Sequence, residues 1–263
     1  APGSGGAGVI GPALKVAVAT AFPELFSVFL SSGIVGRGIG KGIASVELFD
    51  LRDHPVDARG SIDDYQFGGG AGMVIRPEPL FDTLEEIPWR DNARVALMTP
   101  QGRRLDTDYA RELASCGKLI VFCGRYGGVD ERFRSEAVTD EICVGDAVVS
   151  GGEIPAMFLI EAVFRWLPGF LGRLESAKSD SFATGLLDYP RYTRPADYRG
   201  MTVPEELLSG NHARIAEWRF RAALEKTMTV RPEMLENCEL DELKKRFAEL
   251  MREADRAKEQ DDG

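Results

Sequence analysis

The feature that most constrains the fold of this chain is the alternation of short apolar segments with helical patterns between residues 15 and 166. Strands are predicted at residues 15–21, 45–50, 94–99 and 118–123. Apolar residues at helical spacing predict helices at residues 23–31, 77–86, 106–115, 129–137 and 154–166. Strands that alternate with helices in this way are typical of an α/β fold with a mostly parallel sheet.

The periodicity changes after residue 168. In residues 169–188 it gives way to Gly, Ser, Ala and charged residues, which predicts a linker. Beyond it, helices are predicted at residues 203–209, 213–228 and 239–258, with Asn211 as the N-cap of the second. The sequence therefore predicts an α/β domain at residues 14–168 and a smaller, all-helical domain at residues 189–255. Residues 1–13 are expected to be a leader, and residues 256–263 a frayed tail.

The composition of the 263 residues is that of a globular protein, with 44% hydrophobic and 28% charged residues. No apolar run approaches the roughly 20 residues needed to span a bilayer, so no membrane partner is expected. The four cysteines form no Cys-x-x-Cys pair, which favours reduced thiols and a cytoplasmic location over disulfides or a zinc site. The only histidines, His54 and His212, are far apart in the sequence, which argues against a histidine-based triad or metal site.

The net charge of −10 argues by itself against a nucleic-acid partner, because phosphate binding depends on Lys and Arg. Residues 189–231 differ from this average, since they hold 8 basic and 5 acidic residues. Four aromatic side chains are interleaved with these charges, namely Tyr189, Tyr192, Tyr198 and Trp218. Two interpretations are open: a surface that holds RNA through phosphate contacts and base stacking, or a solvated helical face.

Three glycine-containing loops adjoin strand candidates. The longest covers residues 143–155 and reads as a strand, a tight glycine loop and a helix that begins near Pro155. The other two cover residues 99–102 and 123–130. Because ligands bind beyond the carboxyl ends of strands in open α/β sheets, the three loops are expected to converge on one small-molecule pocket.

Two further glycine clusters carry less information. The segment Gly36-Arg-Gly-Ile-Gly-Lys-Gly42 follows a helix and has no Lys-Ser or Lys-Thr ending, so it is predicted to be a turn rather than a phosphate-binding loop. Residues 63–73 join a polar start to four glycines in five positions. This segment either clamps a ligand or bends the chain, and the bend is favoured.

Eight short motifs occur in a fixed order along the chain: Phe67-Gly-Gly-Gly-Ala-Gly-Met73, Thr99-Pro-Gln-Gly-Arg103, Cys123-Gly-Arg-Tyr126, Val144-Gly-Asp146, Gly151-Gly-Glu153, Asp180-Ser-Phe182, Tyr192-Thr-Arg-Pro195 and Leu208-Ser-Gly-Asn-His212. In this order they resemble the bacterial tRNA (guanine-N1) methyltransferases, which modify the guanosine immediately 3′ of the anticodon. The likeness runs from Val16 to about Leu240. It implies a trefoil-knotted SPOUT methyltransferase domain, S-adenosylmethionine as cofactor, tRNA as substrate, and a homodimer whose active sites are built from both subunits.

The resemblance also implies roles for particular residues. Asp180 matches the general base of the family, and Arg165 matches the arginine that acts on the guanine. The loops expected to hold S-adenosylmethionine contribute Thr99, Pro100, Gln101, Gly102, Gly124, Tyr126, Gly128, Val144, Gly145, Asp146, Ala147, Val148, Val149, Gly151, Gly152 and Pro155.

The chain departs from the family pattern at two points. The family commonly has Glu after Gly-Arg-Tyr, a residue associated with magnesium, whereas this chain has Gly127. A magnesium requirement is therefore in doubt, or another carboxylate such as Glu153 supplies the ligand. Gln66-Phe67 replaces the usual Pro-Tyr, which keeps an aromatic ring and is expected to have little effect on activity.

Two other functions remain open at this point. The nearest alternative is another knotted RNA methyltransferase that acts on ribose or on a different base, although the Asp-Ser-Phe motif at Asp180 favours the guanine-N1 family. The second is a non-catalytic RNA-binding protein that keeps the cofactor fold as a scaffold.

Overall fold

The computed structural model describes residues 12–171, 180–182, 184–236 and 239–259. The chain divides into two compact units, Ala1–Phe170 and Leu171–Gly263. Residues 172–179 and 183 of the predicted linker lie outside the described residues, as do residues 1–11 of the predicted leader and 260–263 of the predicted tail.

The first unit is built on a five-stranded sheet. The strands of the whole unit, in chain order, are β1 Leu14–Thr20, β2 Ala44–Asp50, β3 Asp63–Tyr65, β4 Met73–Ile75, β5 Arg94–Arg104, β6 Lys118–Cys123 and β7 Asp140–Cys143. Five of them form one sheet in the order β2-β1-β6-β5-β7, and every neighbouring pair in it is parallel. The predicted α/β fold with a parallel sheet is therefore confirmed. Strands β3 and β4 pair separately as an antiparallel hairpin.

Helices connect the strands of this sheet. They are α1 Ser27–Ser31, α2 Gly33–Gly40, α3 Pro77–Glu86, α4 Thr107–Ala114, α5 Glu131–Ala137 and α6 Glu153–Phe164, with short 3-10 helices at Pro23–Phe26 and Leu51–Asp53. Two of the α-helices begin at aspartate caps, because Asp106 accepts a hydrogen bond from the Tyr109 amide and Asp130 accepts one from the Arg132 amide.

The core of the first unit lies around β6, whose side chains are buried from Leu119 to Cys123. A strand buried on both faces reads as a continuous apolar run, as this one does. Phe133 of α5 packs on Phe122 with ring centroids 4.6 Å apart and on Phe81 of α3 at 5.2 Å. These aromatic contacts fix two helices against the centre of the sheet.

The turn predicted at residues 36–42 is wrong, because Gly33–Gly40 forms helix α2. Its glycines serve close packing. A Cβ on Gly36 would lie 2.5 Å from the carbonyl carbon of Ser31, and a Cβ on Gly38 would overlap the ring of Phe170. The cluster therefore allows α2 to approach its neighbours closely, at the cost in helix propensity that glycine carries.

The predicted end of the third strand at residue 99 is also wrong, since β5 continues to Arg104. Its pairing with β7 shifts, however, because Ile142 is the partner of both Met98 and Arg103. Residues 99–102 therefore bulge out of the ladder, as β-bulges do where a strand leaves its register. Gly102 returns to the ladder so closely that a Cβ there would overlap the backbone of Glu141 and Ile142.

The second unit has helices α7 Glu205–Leu208, α8 His212–Val230 and α9 Leu240–Glu259. Asn211 caps α8 as predicted, because its side chain accepts hydrogen bonds from the amides of Ala213 and Arg214. Its buried cluster consists of Leu186, Phe220, Ala223, Leu243 and Phe247.

The expectation that this part of the chain is all-helical is not met. Strands β8 Asp197–Tyr198 and β9 Met201–Thr202 form a hairpin. Its two turn residues, Arg199 and Gly200, both have positive φ, which matches the turn type that two-residue hairpins favour.

Among the described residues, no helix combines the length and the apolar character that crossing a membrane requires.

A buried ion pair joins the amino ends of β5 and β7. The carboxylate of Asp140 is 6% exposed and accepts hydrogen bonds from Arg94 and from the hydroxyls of Tyr109 and Thr139. Burial of Asp140 opposes its ionisation, but these donors outweigh burial and hold the pKa of the carboxyl below its usual value. Burial and the bond to Asp140 in turn raise the pKa of the Tyr109 hydroxyl.

We predict that Asp140→Asn lowers the free energy of unfolding by about 3 kcal/mol at pH 7, because it removes the buried one of the two carboxylates that pair with Arg94 and leaves this guanidinium with the half-exposed Glu112. The folded-state pKa lies below the unfolded value of about 3.9, so the stabilisation is present above that pH and is lost as pH falls through the folded pKa. Denaturant unfolding at pH 7 and pH 3 measures both effects. Asp108→Asn is the control, since that exposed carboxylate pairs only across the surface of α4. An equal loss at both pH values would contradict this account.

Candidate active site

A cavity of about 440 Å³ lies at the carboxyl ends of β6, β5 and β7, which are neighbours in the sheet. Its walls come from β5 at and just before the bulge, from the end of β7, and from the loops that follow β6 and β7. The cavity size falls in the range of about 300–1,000 Å³ that is usual for small-molecule sites. Its position is where open α/β sheets bind ligands.

Fourteen of the residues predicted to hold a cofactor line this cavity: Thr99, Pro100, Gln101, Gly124, Tyr126, Gly128, Val144, Gly145, Ala147, Val148, Val149, Gly151, Gly152 and Pro155. Gly102 and Asp146 are not among its lining residues. Gly102 packs instead against the backbone of β7, and Asp146 lies exposed on the third loop.

Two of the three loops meet through their backbones. The amide of Gly152 donates to the carbonyl of Gly124 at 2.8 Å, and Gly151 forms an antiparallel bridge with Arg125. A Cβ on Gly152 would lie 2.8 Å from the Cα of Cys123. Only glycine permits this approach, so both the entry to α6 and the width of the cavity depend on it.

The loop after β6 is held from its other side by the hairpin β3–β4. The amide of Gly127 donates to the carbonyl of Met73 at 2.7 Å, and the amide of Asp130 donates to the carbonyl of Ile75 at 2.9 Å. Tyr126, immediately before Gly127, adopts a φ of +59°, which is uncommon for a residue with a side chain. The loop thus keeps a strained conformation because two separate elements fix it.

The sequence prediction missed the charged residues of the cavity wall. Arg134 donates to the carboxylates of Glu131 and Glu141 through all three of its nitrogens. Arg125 donates from Nε to Oε1 of Glu153 at 3.0 Å. Glu131, Arg134 and Arg125 all line the cavity. Only Arg125 stood within a quoted motif, and nothing in the local pattern indicated its partner.

Glu153 lies beneath the glycine loops and is 1% exposed. The same oxygen that binds Arg125 also accepts a hydrogen bond from the hydroxyl of Thr20 at 2.9 Å. The neighbouring thiol of Cys123 is wholly buried, and this burial, with the Glu153 charge, raises its pKa well above the usual value. Cys123 is therefore a packing residue with little thiolate at neutral pH.

These contacts bear on the magnesium ion that the resemblance associates with this loop. Glu153, offered above as a substitute ligand, is buried and bound to Arg125, while Glu131 is bound to Arg134. In the part of the chain that the structure describes, no group of three or more His, Cys, Asp or Glu side chains could hold a metal. The residues present around the cavity do not fit a magnesium ion.

The two residues matched to catalytic roles belong to different units. Arg165 is partly buried and forms the C-cap of α6 in the first unit. Asp180 is partly buried in the second unit. The pKa of Arg191 is raised mainly by its hydrogen bond to Asp188, and the charge of Asp180 adds a smaller contribution.

Comparison with known proteins shows which family this sequence resembles. The sequence profile of the family described as tRNA (Guanine-1)-methyltransferase TrmD matches residues 14–237. Three relatives carry the name tRNA (guanine-N(1)-)-methyltransferase. The protein of Staphylococcus epidermidis is 46% identical over 229 residues, which cover 87% of this chain and 94% of the relative. That of Geobacter sulfurreducens is 49% identical over 228 residues, or 86% and 93%. That of Bacillus cereus is 45% identical over 242 residues, or 91% and 99%.

The parallel sheet and the cavity at its carboxyl edge define a small-molecule-binding α/β protein. The profile match covers far more than half of the chain, and the relatives are matched over nearly their whole length. The chain belongs to the tRNA (guanine-N1)-methyltransferase family.

We predict that Gly152→Ala destabilises the first unit by about 1–3 kcal/mol, the usual cost of overpacking, because the added Cβ meets the backbone of Cys123 and Gly124. Gly145→Ala is the matched control on the same loop, since a Cβ there meets nothing within 4 Å and its φ is not in the left-handed region. Denaturant unfolding of the two variants and the wild type measures the difference. Equal stabilities for Gly152→Ala and wild type would show that the close approach is not required.

Proposed function

We propose that this protein transfers a methyl group from S-adenosylmethionine to N1 of the guanosine immediately 3′ of the anticodon in tRNA. The observation that carries the proposal is the family match over residues 14–237 together with a cavity formed by the loops that the family motifs occupy. The proposal has three parts: the cavity holds the cofactor, Asp180 and Arg165 act on the guanine, and the second unit helps to bind the tRNA.

The cavity suits a nucleoside cofactor. Its wall combines apolar side chains, including Leu97, Val144 and Val149, with the exposed backbone of glycine turns. Apolar walls suit the adenine ring, while backbone amides and carbonyls suit its polar edge and the ribose hydroxyls. When bound, S-adenosylmethionine supplies an electrophilic methyl group on its sulfonium sulfur.

The remaining difficulty of the reaction lies in the guanine. N1 carries a proton at neutral pH and its lone pair is delocalised into the ring, so a base must remove the proton as the new bond forms. Asp180 is the residue we assign to this step, with its carboxylate accepting the proton from N1. General base catalysis of this kind contributes about 100- to 10,000-fold to the rate.

Removal of the N1 proton leaves negative charge on the ring, much of it on O6. We assign Arg165 to stabilise this charge by donating a hydrogen bond to O6. A donor placed where charge develops in the transition state is worth about 3–4 kcal/mol by analogy with oxyanion holes. A ribose hydroxyl needs no donor at O6, so this assignment favours base modification over ribose modification.

The second unit offers side chains suited to RNA. Tyr198 and Tyr192 are each about half exposed, Arg199 lies over the Tyr198 ring at 5.1 Å, and Tyr192 packs on Trp218 with centroids 6.1 Å apart. Exposed aromatic rings beside arginines provide stacking surfaces for unpaired bases and contacts for phosphates. We assign this unit to hold the tRNA.

The knot and the dimer are also part of the proposal. The trefoil knot that we propose for the first unit is supported by the family match over residues 14–237. Helix α6 carries two exposed apolar side chains one turn apart, Ile154 at 69% and Phe158 at 56%. An apolar exposed helix face supports a subunit interface here. In the dimer we propose, each site takes Arg165 from one subunit and Asp180 from the other.

We predict that Asp180→Asn abolishes methyl transfer to a tRNA transcript while the affinity for S-adenosylhomocysteine stays within about twofold of wild type, since the residue acts on the guanine. Single-turnover transfer of labelled methyl and calorimetric binding measure the two quantities. Asp241→Asn, an exposed carboxylate on α9, is the control. Equal loss of binding and transfer in Asp180→Asn would contradict the role of a base.

We predict that inactive Asp180→Asn and Arg165→Gln proteins, mixed under conditions that exchange subunits, recover about one quarter of wild-type activity. Half of the dimers are then mixed, and each mixed dimer has one site without a substitution and one with both. If instead both residues of a site come from the same subunit, every site carries a substitution and mixing restores nothing.

A further inference from the structure

The arginines of the cavity differ in how far their donors are used. Of the lining residues, Arg125 and Arg134 are the two that carry a positive charge. All three nitrogens of Arg134 are engaged, because its Nε and Nη2 bind Glu131 and its Nη1 binds both oxygens of Glu141. Its charge is thus matched by two carboxylates, and four of its hydrogen bonds already go to the protein.

Arg125 uses one of its three nitrogens. Its Nε binds Glu153, and the guanidinium lies over the ring of Phe22 at 4.0 Å. Within the described ranges, Nη1 and Nη2 of Arg125 make no hydrogen bond to the protein. The side chain is 20% exposed and lines the cavity, so these two nitrogens are available to a ligand there.

The orientation of Arg125 is fixed from below. The side chain of Glu153 is buried, and its carboxylate is itself held by the Thr20 hydroxyl. Gly151 closes the other side, since a Cβ there would lie 2.7 Å from Nε and 2.9 Å from Cζ of Arg125. An ion pair, an aromatic ring and a glycine therefore hold one guanidinium in a single position before any ligand arrives.

We propose that Arg125 is the oxyanion-binding residue of this cavity and that Glu153 is its positioning residue, an inference that rests on the proposed function. The two NH₂ groups of a planar guanidinium match the two oxygens of a carboxylate or phosphate. Pre-positioning by Glu153 reduces the side-chain entropy lost on binding. The oxyanion comes either from the carboxylate of the cofactor's amino-acid end or from a phosphate of the tRNA.

The first arm of the test separates the cofactor carboxylate from the rest of the cofactor. S-Adenosylhomocysteine and 5′-methylthioadenosine share the adenosine and thioether groups, and only the former has the carboxylate. If Arg125 binds that carboxylate, Arg125→Gln lowers the affinity for S-adenosylhomocysteine by about tenfold or more and leaves the affinity for 5′-methylthioadenosine unchanged. Calorimetric titration of both compounds measures this.

The second arm addresses the RNA phosphate. If Arg125 binds a phosphate, Arg125→Gln leaves both adenosine compounds unchanged and raises the Kd for tRNA, and the slope of log Kd against log salt falls by about one. Arg132→Gln is the matched control, because Arg132 is an exposed arginine on α5 that pairs with Asp130 and does not line the cavity.

Two further variants test whether Arg125 must be held in position. Glu153→Gln and Gly151→Ala are expected to reproduce the ligand-selective loss of Arg125→Gln, because one frees the guanidinium and the other displaces it. Gly151→Ala does so without altering any charge, so it still tests the proposal if Glu153→Gln fails to fold.

The proposal is overturned if Arg125→Gln binds both compounds and tRNA like the wild type, or if it weakens both adenosine compounds equally, which would indicate a loop collapse. Failure of the proposed function is recognised separately, because the wild-type protein would then bind neither S-adenosylhomocysteine nor tRNA.

Discussion

The cavity depends on the contact between two glycine turns, in which Gly152 donates to the carbonyl of Gly124 across the carboxyl ends of β6 and β7. This contact fixes where α6 begins, and α6 in turn carries Glu153 into the buried space beneath the loops. A side chain at Gly152 would separate the turns, since there is no room for a Cβ against Cys123. Both the pocket and the ion pair below it follow from an approach that only glycine allows.

Two buried ion pairs stabilise opposite ends of the sheet. Asp140 and Arg94 join the amino ends of β7 and β5, while Glu153 and Arg125 join the turns beyond the carboxyl ends. The two pairs differ in their surroundings. Asp140 accepts from three different side chains, whereas Arg125 keeps two donors without a partner in the described structure. The Asp140–Arg94 pair stabilises the fold, whereas the Arg125–Glu153 pair leaves two guanidinium nitrogens that a ligand in the cavity can bind.

Much of the fold could be predicted from local sequence patterns. Strand β6 and helix α3 begin and end where periodicity places them, because each is set by its own run of apolar residues. Sequence periodicity gave wrong predictions where contacts between residues far apart in the chain determine the local structure. Helix α2 keeps its glycines to approach Phe170, and the bulge in β5 exists because Ile142 pairs twice. The hairpin β8–β9 is too short for any periodicity to reveal.

The candidate site shows the same division. The glycine loops could be found because glycine clusters next to strands have a local cause, and fourteen of the predicted residues meet at one cavity. The pairing of Arg125 with Glu153 could not, because it joins residues 28 positions apart that only the folded chain brings together. Gly127, where the family commonly has Glu, was visible in the sequence, but its backbone contact with Met73 was not.

The most direct test of the proposed activity is the position of the transferred methyl group. Wild-type protein, labelled S-adenosylmethionine and two tRNA transcripts are required, one with guanosine and one with adenosine immediately 3′ of the anticodon. We expect label only on the guanosine transcript, and nucleoside mass spectrometry should identify it as N1-methylguanosine at that position. Label on both transcripts, or on a ribose, would contradict the account.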